Sequence, residues 1–428
     1  MTQVRTVSTA AGLQQALADR AEQIEVSGTL SGMPSVVLPP GTVLIGREGA
    51  VLRFGGRGVV VTSDNTIRGL TIETTPSEIA LCTDTSVASL GTLELQDITT
   101  RGQIALVFQD VLRSGRVVAE RVQVAEADVR GREQRARGYN VEVLQGGFTV
   151  WNRQRDADSV VHATLRDISV GTDEVPVRGS GVFVAGGAFT DAGRLVVDEL
   201  TTGIVVTDGG IAPRTPDVIS GGVFVASGAE VESVVNHSEV ITHGQNDMVL
   251  DNWGTVTSWE AHSAVLSYGP SGIGFVNFGE IGSLRVAGPL RTDGAGARGY
   301  NLYSGSTGRA EFASITTHGN GAVGIQLGCP SGPIRVLGDV VTTGSTGMSL
   351  VKGVQMELSA VAFSVKPGGS LDRLEVGGDI RTSGAGTNAV EIEGPVTTVR
   401  IGGRIIASGA ESERLIPVGH PKFAPFLI

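Results

Sequence analysis

Only two of the 428 residues are cysteine, Cys82 and Cys329, far apart and without metal-ligand spacing. That excludes a disulfide-stapled scaffold and predicts that both thiols are small buried fillers. Aromatics make up 4% and charged residues 18% of the chain, so neither an aromatic-rich core nor a long charged helix is expected. No apolar run reaches the ~18 residues of a membrane span. The opening Met1-Thr2-Gln3-Val4-Arg5 has no apolar signal core, so the sequence as written predicts a cytoplasmic protein, a trimmed secreted form being the alternative. The net charge of −11 and the absence of a basic tract, other than the interrupted Arg130 to Arg137, argue against a nucleic-acid partner.

What the chain has is glycine, 62 residues of it, and some of it keeps time. Gly244, Gly269, Gly294, Gly319 and Gly344 recur every 25 residues, each closing a phrase such as Thr242-His243-Gly244 or Thr317-His318-Gly319. Gly384 and Gly409 resume the beat, and Gly203 precedes it. A fixed period of this length, in a sequence rich in Val, Ile, Thr and Gly, predicts a solenoid of short strands. Residues 25 apart then become neighbours about 4.8 Å apart. The gaps around Gly203 and Gly344 are longer by 15 or 16 residues, predicting insertion loops at 204–219 and 345–359. The echo of Ala136-Arg137-Gly138-Tyr139-Asn140 in Ala297-Arg298-Gly299-Tyr300-Asn301 suggests that the register reaches back to residue 136. Residues 8–22 predict a helix capped by Ser8 or Thr9, with Leu13, Ala16, Leu17 and Ala21 as the stripe that covers the open first coil. A Pro-rich tail fills 415–428. The whole of 1–428 is expected to be one β-helix domain.

Two phrases point to a family. The strand-turn Leu38-Pro39-Pro40-Gly41-Thr42 and the coil Asp64-Asn65-Thr66-Ile67-Arg68-Gly69-Leu70-Thr71-Ile72 resemble the opening coils of the pectin-lyase-like superfamily. That resemblance implies an all-β fold, a single-stranded right-handed parallel β-helix. It also implies activity on carbohydrate: a glycosidase, lyase or glycosyl transferase, with no cofactor. The subfamily stays open. The Asn-Thr-Asp, Asp-Asp, Gly-His-Gly and Arg-Ile-Lys set of polygalacturonases is missing, and the Thr-His-Gly phrases echo only its third member. No acidic cluster of the calcium-binding pectate-lyase kind is present, and no metal is expected.

Stacking turns the repeat into columns. Two residues before the glycine comes Thr242, Ser267, Thr292, Thr317 and Thr342, a uniform column expected to face inward. One residue before it comes His243, Tyr268, Asp293, His318 and Thr343, expected to face outward. A His–Asp neighbour pair there could exchange protons near neutral pH. Seven residues after the glycine, the column reads Asp251, Val276, Asn301, Gln326 and Val351, and nine after it Trp253, Phe278 and Tyr303. Both are expected to face outward, making an aromatic platform for a sugar ring, while Asn252 and Asn277 between them form an inward ladder. Asn246, Asp247, Asp251 and Asn252, beside His243 and Trp253, form the densest carboxylate–amide cluster. The catalytic candidates are therefore Asp247, Asp251, Asp293, His243 and His318. Trp253, Tyr268, Tyr303, Asn301 and Gln326 are the candidate binding residues. Trp151, Arg153 and Asp156 join them from an earlier polar stretch. Against the enzyme stands a noncatalytic β-solenoid for surface or assembly roles, or an isomerase or cyclase acting on a small metabolite. A homo-oligomer, a trimer above others, is expected from the side-by-side packing open to such solenoids.

Overall fold

The computed structural model describes residues 4–188 and 192–417. Nearly all of its regular structure is strand, laid down in long parallel sheets in which successive coils stack, the arrangement of a parallel β-helix. The helix is shorter than the sequence pattern, Ala10–Ala18, and Thr9 caps it by accepting from the Gly12 N–H at 3.1 Å. Leu13 and Ala16 are its buried residues, and it lies against the first three strands of the chain. Of the tail, Leu415–Pro417 pairs in parallel with Val390–Ile392; the rest lies outside the described residues.

The chain groups into two compact units. One comprises 1–134, 145–206 and 225–233; the other 135–144, 207–224 and 234–428. In the first unit the strands Thr66–Glu73, Ser89–Arg101, Ser114–Glu126 and Val160–Val170 pair in parallel one after another. The Leu38–Thr42 turn is fixed there by Asn65, whose amide donates to the Pro39 carbonyl at 2.8 Å and accepts from the Thr62 N–H at 2.7 Å.

The second unit shows why glycine keeps its beat. Successive repeat glycines sit directly on one another. A Cβ on Gly269, Gly294, Gly319, Gly344, Gly384 or Gly409 would lie 1.7–2.7 Å from the carbonyl oxygen of the repeat glycine one coil earlier. No side chain fits that corner. The Thr column is buried as its uniformity implied, from Thr242 through Thr382. Asn252 donates to Asn277 at 2.9 Å, and each amide oxygen accepts the N–H two residues on, from Gly254 and Gly279 at 3.1 Å. Leu302 takes the next rung and ends the asparagine ladder.

Two departures from the 25-residue register matter for function. The insertion at 345–359 is an antiparallel hairpin, Gly347–Val351 with Val354–Leu358. Val351 therefore leaves its expected column, and Ser364 stands beside Gln326 in its place. The Ala136–Asn140 segment is not a coil position at all. It forms a second hairpin, Ala136–Gly138 with Val141–Val143, which pairs through Glu142 and Val143 with Val218 and Ile219. Both hairpins turn on two residues at positive φ, Tyr139 and Asn140 in one, Lys352 and Gly353 in the other. That is the backbone a two-residue hairpin needs to match the twist of its strands.

Candidate functional site

The columns of Asp251 and Trp253 alternate with inward Asn252, as period two requires, yet they do not face water. Asp251 and Asn301 are fully buried, and Trp253 and Phe278 nearly so. The two hairpins cover them. A recess is lined by Asp251, Trp253, Val276, Phe278 and Tyr303 from the sheet, by Tyr139 and Val141 from one hairpin, and by Leu350, Lys352 and Gly353 from the other. It keeps a void of about 30 Å³, the share of one water molecule in the liquid. The hairpin tips meet above it: a Cβ on Gly353 would lie 2.9 Å from the Asn140 carbonyl oxygen. The sequence expectation of an open aromatic platform is thus corrected to a covered one.

Its walls are aromatic. Tyr139 stacks on Phe278 with ring centres 4.2 Å apart and meets Trp253 edge-on at 5.1 Å. Phe278 stacks in turn on Tyr303 at 5.0 Å. The Tyr139 hydroxyl donates to the Phe278 carbonyl at 3.2 Å, tying hairpin to sheet. On the other side Arg298, fully buried, donates through one terminal nitrogen to the Leu350 carbonyl at 2.9 Å. Its guanidinium lies 5.7 Å from the Tyr303 ring centre, and the Lys352 ammonium 5.3 Å from the same ring.

The polar atoms of this region are largely unpartnered. Both oxygens of Asp251, the Trp253 indole nitrogen, two nitrogens of Arg298, the Asn301 amide and the Tyr303 hydroxyl are buried without a hydrogen bond. Buried polar atoms are usually paired; half of the unpaired ones among the described residues gather here, and the rest include several hydroxyls of the Thr column. Asn301 and Arg298 stand one rung beyond Val276 and Ile273 in the recess columns. Burial pushes the Asp251 carboxyl well above the usual carboxylate range; the neighbouring Trp253 indole, short of hydrogen-bond geometry, opposes the shift. Burial therefore favours the protonated, uncharged form of Asp251. Burial likewise raises the Tyr139 and Tyr303 hydroxyls.

The remaining candidates fall elsewhere. Asp247 is fully buried and committed: it accepts from the Gly209 and Gly244 N–H groups at 3.0 and 2.8 Å and from the Ser220 hydroxyl. Burial lifts its carboxyl to about 6, against the pull of those hydrogen bonds. Its geometry is that of a corner clamp, with no free oxygen for a substrate. The His243–Tyr268–Asp293–His318 row faces outward as its column implied. His243 and Tyr268 stack at 5.3 Å, and Tyr268 is 45% exposed. Asp293 is held by Arg291 at 2.8 and 2.9 Å, and His318 bonds Thr343 at 2.9 Å with its other nitrogen 3.9 Å from Asp293. Gln326 lines a separate polar cavity of about 230 Å³ with Glu357, Ser364, Lys366 and Glu391.

Trp151, Arg153 and Asp156 belong to the first unit. Trp151 is buried, donates to the Gly186 carbonyl at 3.2 Å and carries the Arg153 guanidinium at 4.8 Å from its ring. Asp156 pairs with Arg113. Trp151 lies at the end of a buried strand, Gly146–Asn152, and Arg153 and Asp156 follow it with partners of their own. Among the described residues no group of His, Cys, Asp and Glu is arranged to hold a metal ion. Sequence reasoning passed over Tyr139, Arg298 and Lys352; Asn140 and Gly353, residues suited to a two-residue hairpin turn, were the signal that could have found two of them. No family model, curated protein or solved structure matches the chain.

Proposed function

We propose that the chain is a carbohydrate-active enzyme of the pectin-lyase-like kind that takes a sugar ring into the recess under the two hairpins, with Asp251 as proton donor. The observation that carries this reading is the buried, unpartnered Asp251 carboxyl against an aromatic wall. A carboxyl kept protonated by burial is a general acid suited to work near neutral pH. Trp253, Phe278, Tyr139 and Tyr303 present faces and edges for the C–H face of a ring. The free N–H groups of Arg298 and Asn301 would meet its oxygens.

Neither of the other two candidate carboxylates is free to act beside Asp251. Two-carboxylate hydrolysis needs a pair about 5–10 Å apart, both free to act. Asp247 is clamped by its three donors and Asp293 by Arg291. A sugar exceeds the present void, so substrate entry requires the Asn140 and Gly353 tips to part. A void this small is also what a noncatalytic solenoid would show, and that is the competing reading. The test is an oligosaccharide screen by mass spectrometry on the full chain and on Asp251→Asn, which keeps the shape and removes the proton. Turnover in the unaltered chain that Asp251→Asn abolishes is expected. No change in any sugar, or equal turnover by the variant, would remove Asp251 from catalysis.

A further inference from the structure

On the other sheet of the second unit, one outward column alternates in charge over six successive rungs. Register places Glu260 beside Arg285, Arg285 beside Glu311, Glu311 beside Arg335, Arg335 beside Glu375 and Glu375 beside Arg400. Within the chain these pairs are loosely closed, with nitrogen–oxygen separations of 3.8, 3.5, 3.5, 4.0 and 3.9 Å. Charge-assisted hydrogen bonds would be about 2.7–2.9 Å. The arginines reach past their partners into solvent, with side chains 53%, 58% and 74% exposed at Arg285, Arg335 and Arg400. Arg285 and Arg335, with Arg309 and Arg373 beside the column, rim a cleft of about 400 Å³ floored by Leu284, Ala310 and Ile334.

We infer that this column is a docking surface for a second copy of the same chain, paired about a two-fold axis. An even run of alternating charges is complementary to its own reverse. Under a two-fold axis across the middle of the column, Glu260 faces the other copy's Arg400, Arg285 faces Glu375, and Glu311 faces Arg335, each twice. A partner must carry alternating charge at the ~4.8 Å strand spacing over roughly 24 Å, and a second copy of this column does so. Two-fold, self-complementary contacts are the commonest way that identical chains associate. The loose internal pairs leave each arginine N–H groups to spend on the other copy. This pairing is independent of the recess and its chemistry.

The test is sedimentation of the full chain at low and high salt. At about 0.05 M salt a species of twice the chain mass is expected, and at about 1 M, where screening falls to ~3 Å, a monomer. R335E sets a carboxylate against Glu311 of the other copy and should give a monomer at both salts. The double exchange E311R/R335E restores the pairing between copies while placing like charges side by side within each chain, so it should recover the dimer. A monomer for the unaltered chain at low salt would overturn the inference. So would a dimer that survives in R335E, or a double exchange that stays monomeric while its circular dichroism matches the unaltered chain.

Discussion

Replacing Gly294 by alanine puts a methyl group in place of one hydrogen at the tightest kind of corner in the second unit. The new Cβ would lie 1.9 Å from the Gly269 carbonyl oxygen and 2.4 Å from its carbon. Ordinary contact begins near 3.4 Å, so the two coils must separate by roughly 1.5 Å at a point where strands are held about 4.8 Å apart. The obstacle is backbone, which has no rotamer to change. Overpacking a fitted site costs about 1–3 kcal/mol and more where nothing can give, so Gly294→Ala is expected to cost about 3 kcal/mol or more. The assay is urea unfolding, with the midpoint and slope read together. Gly55→Ala is the control. Nothing lies within 4 Å of a Cβ there, and loss of chain entropy in the unfolded state should leave it neutral or stabilise it by ~0.4–1 kcal/mol. Equal midpoints for the two variants would refute the claim that the 25-residue beat records a steric demand.

The Asp251 and Asp247 carboxyls both titrate above the usual range in the folded chain, so the folded state holds protons the unfolded state has lost, and stability falls as pH rises past about 4. Asp247 contributes until about pH 6, and the raised Asp251 carboxyl adds to the same fall. Asp251→Asn should flatten the fall of stability with rising pH in a urea series; an unchanged slope would mean that Asp251 ionises normally. Tyr139→Ala removes the ring that stacks on Phe278 and caps Trp253. The variant should red-shift tryptophan emission and raise its quenching by acrylamide, whereas unaltered emission would show that this hairpin does not cover the recess.

The columns were legible because a strand has period two and a solenoid stacks every turn. That arithmetic carried the steric glycine corner, the inward Thr242–Thr382 column, the Asn252–Asn277 ladder and the outward His243–His318 row. It could say which way Asp251 and Trp253 face, but not what lies on top of them. A cover comes from segments outside the repeat, and periodicity is silent about those. The five letters Ala-Arg-Gly-Tyr-Asn show the limit. At 297–301 the Arg298–Asn301 stretch lies between two neighbouring strands and is held flat by both. At 136–140 the same letters have Val141–Val143 to pair with and fold back on Tyr139-Asn140 as a hairpin. Local sequence was equal, and the pairing partner decided. Asp247 eluded the pattern for a different reason: its role depends on Gly209 and Ser220, 38 and 27 residues away and off the beat.

The claim on which the rest depends is that Asp251 is a neutral acid held under the two hairpins. Infrared difference spectroscopy tests it directly, comparing the unaltered chain with Asp251→Asn at pH 7. A protonated-carboxyl C=O band, shifted by deuterium and present only in the unaltered chain, is predicted. A difference spectrum in which only ionised-carboxylate bands disappear would contradict it.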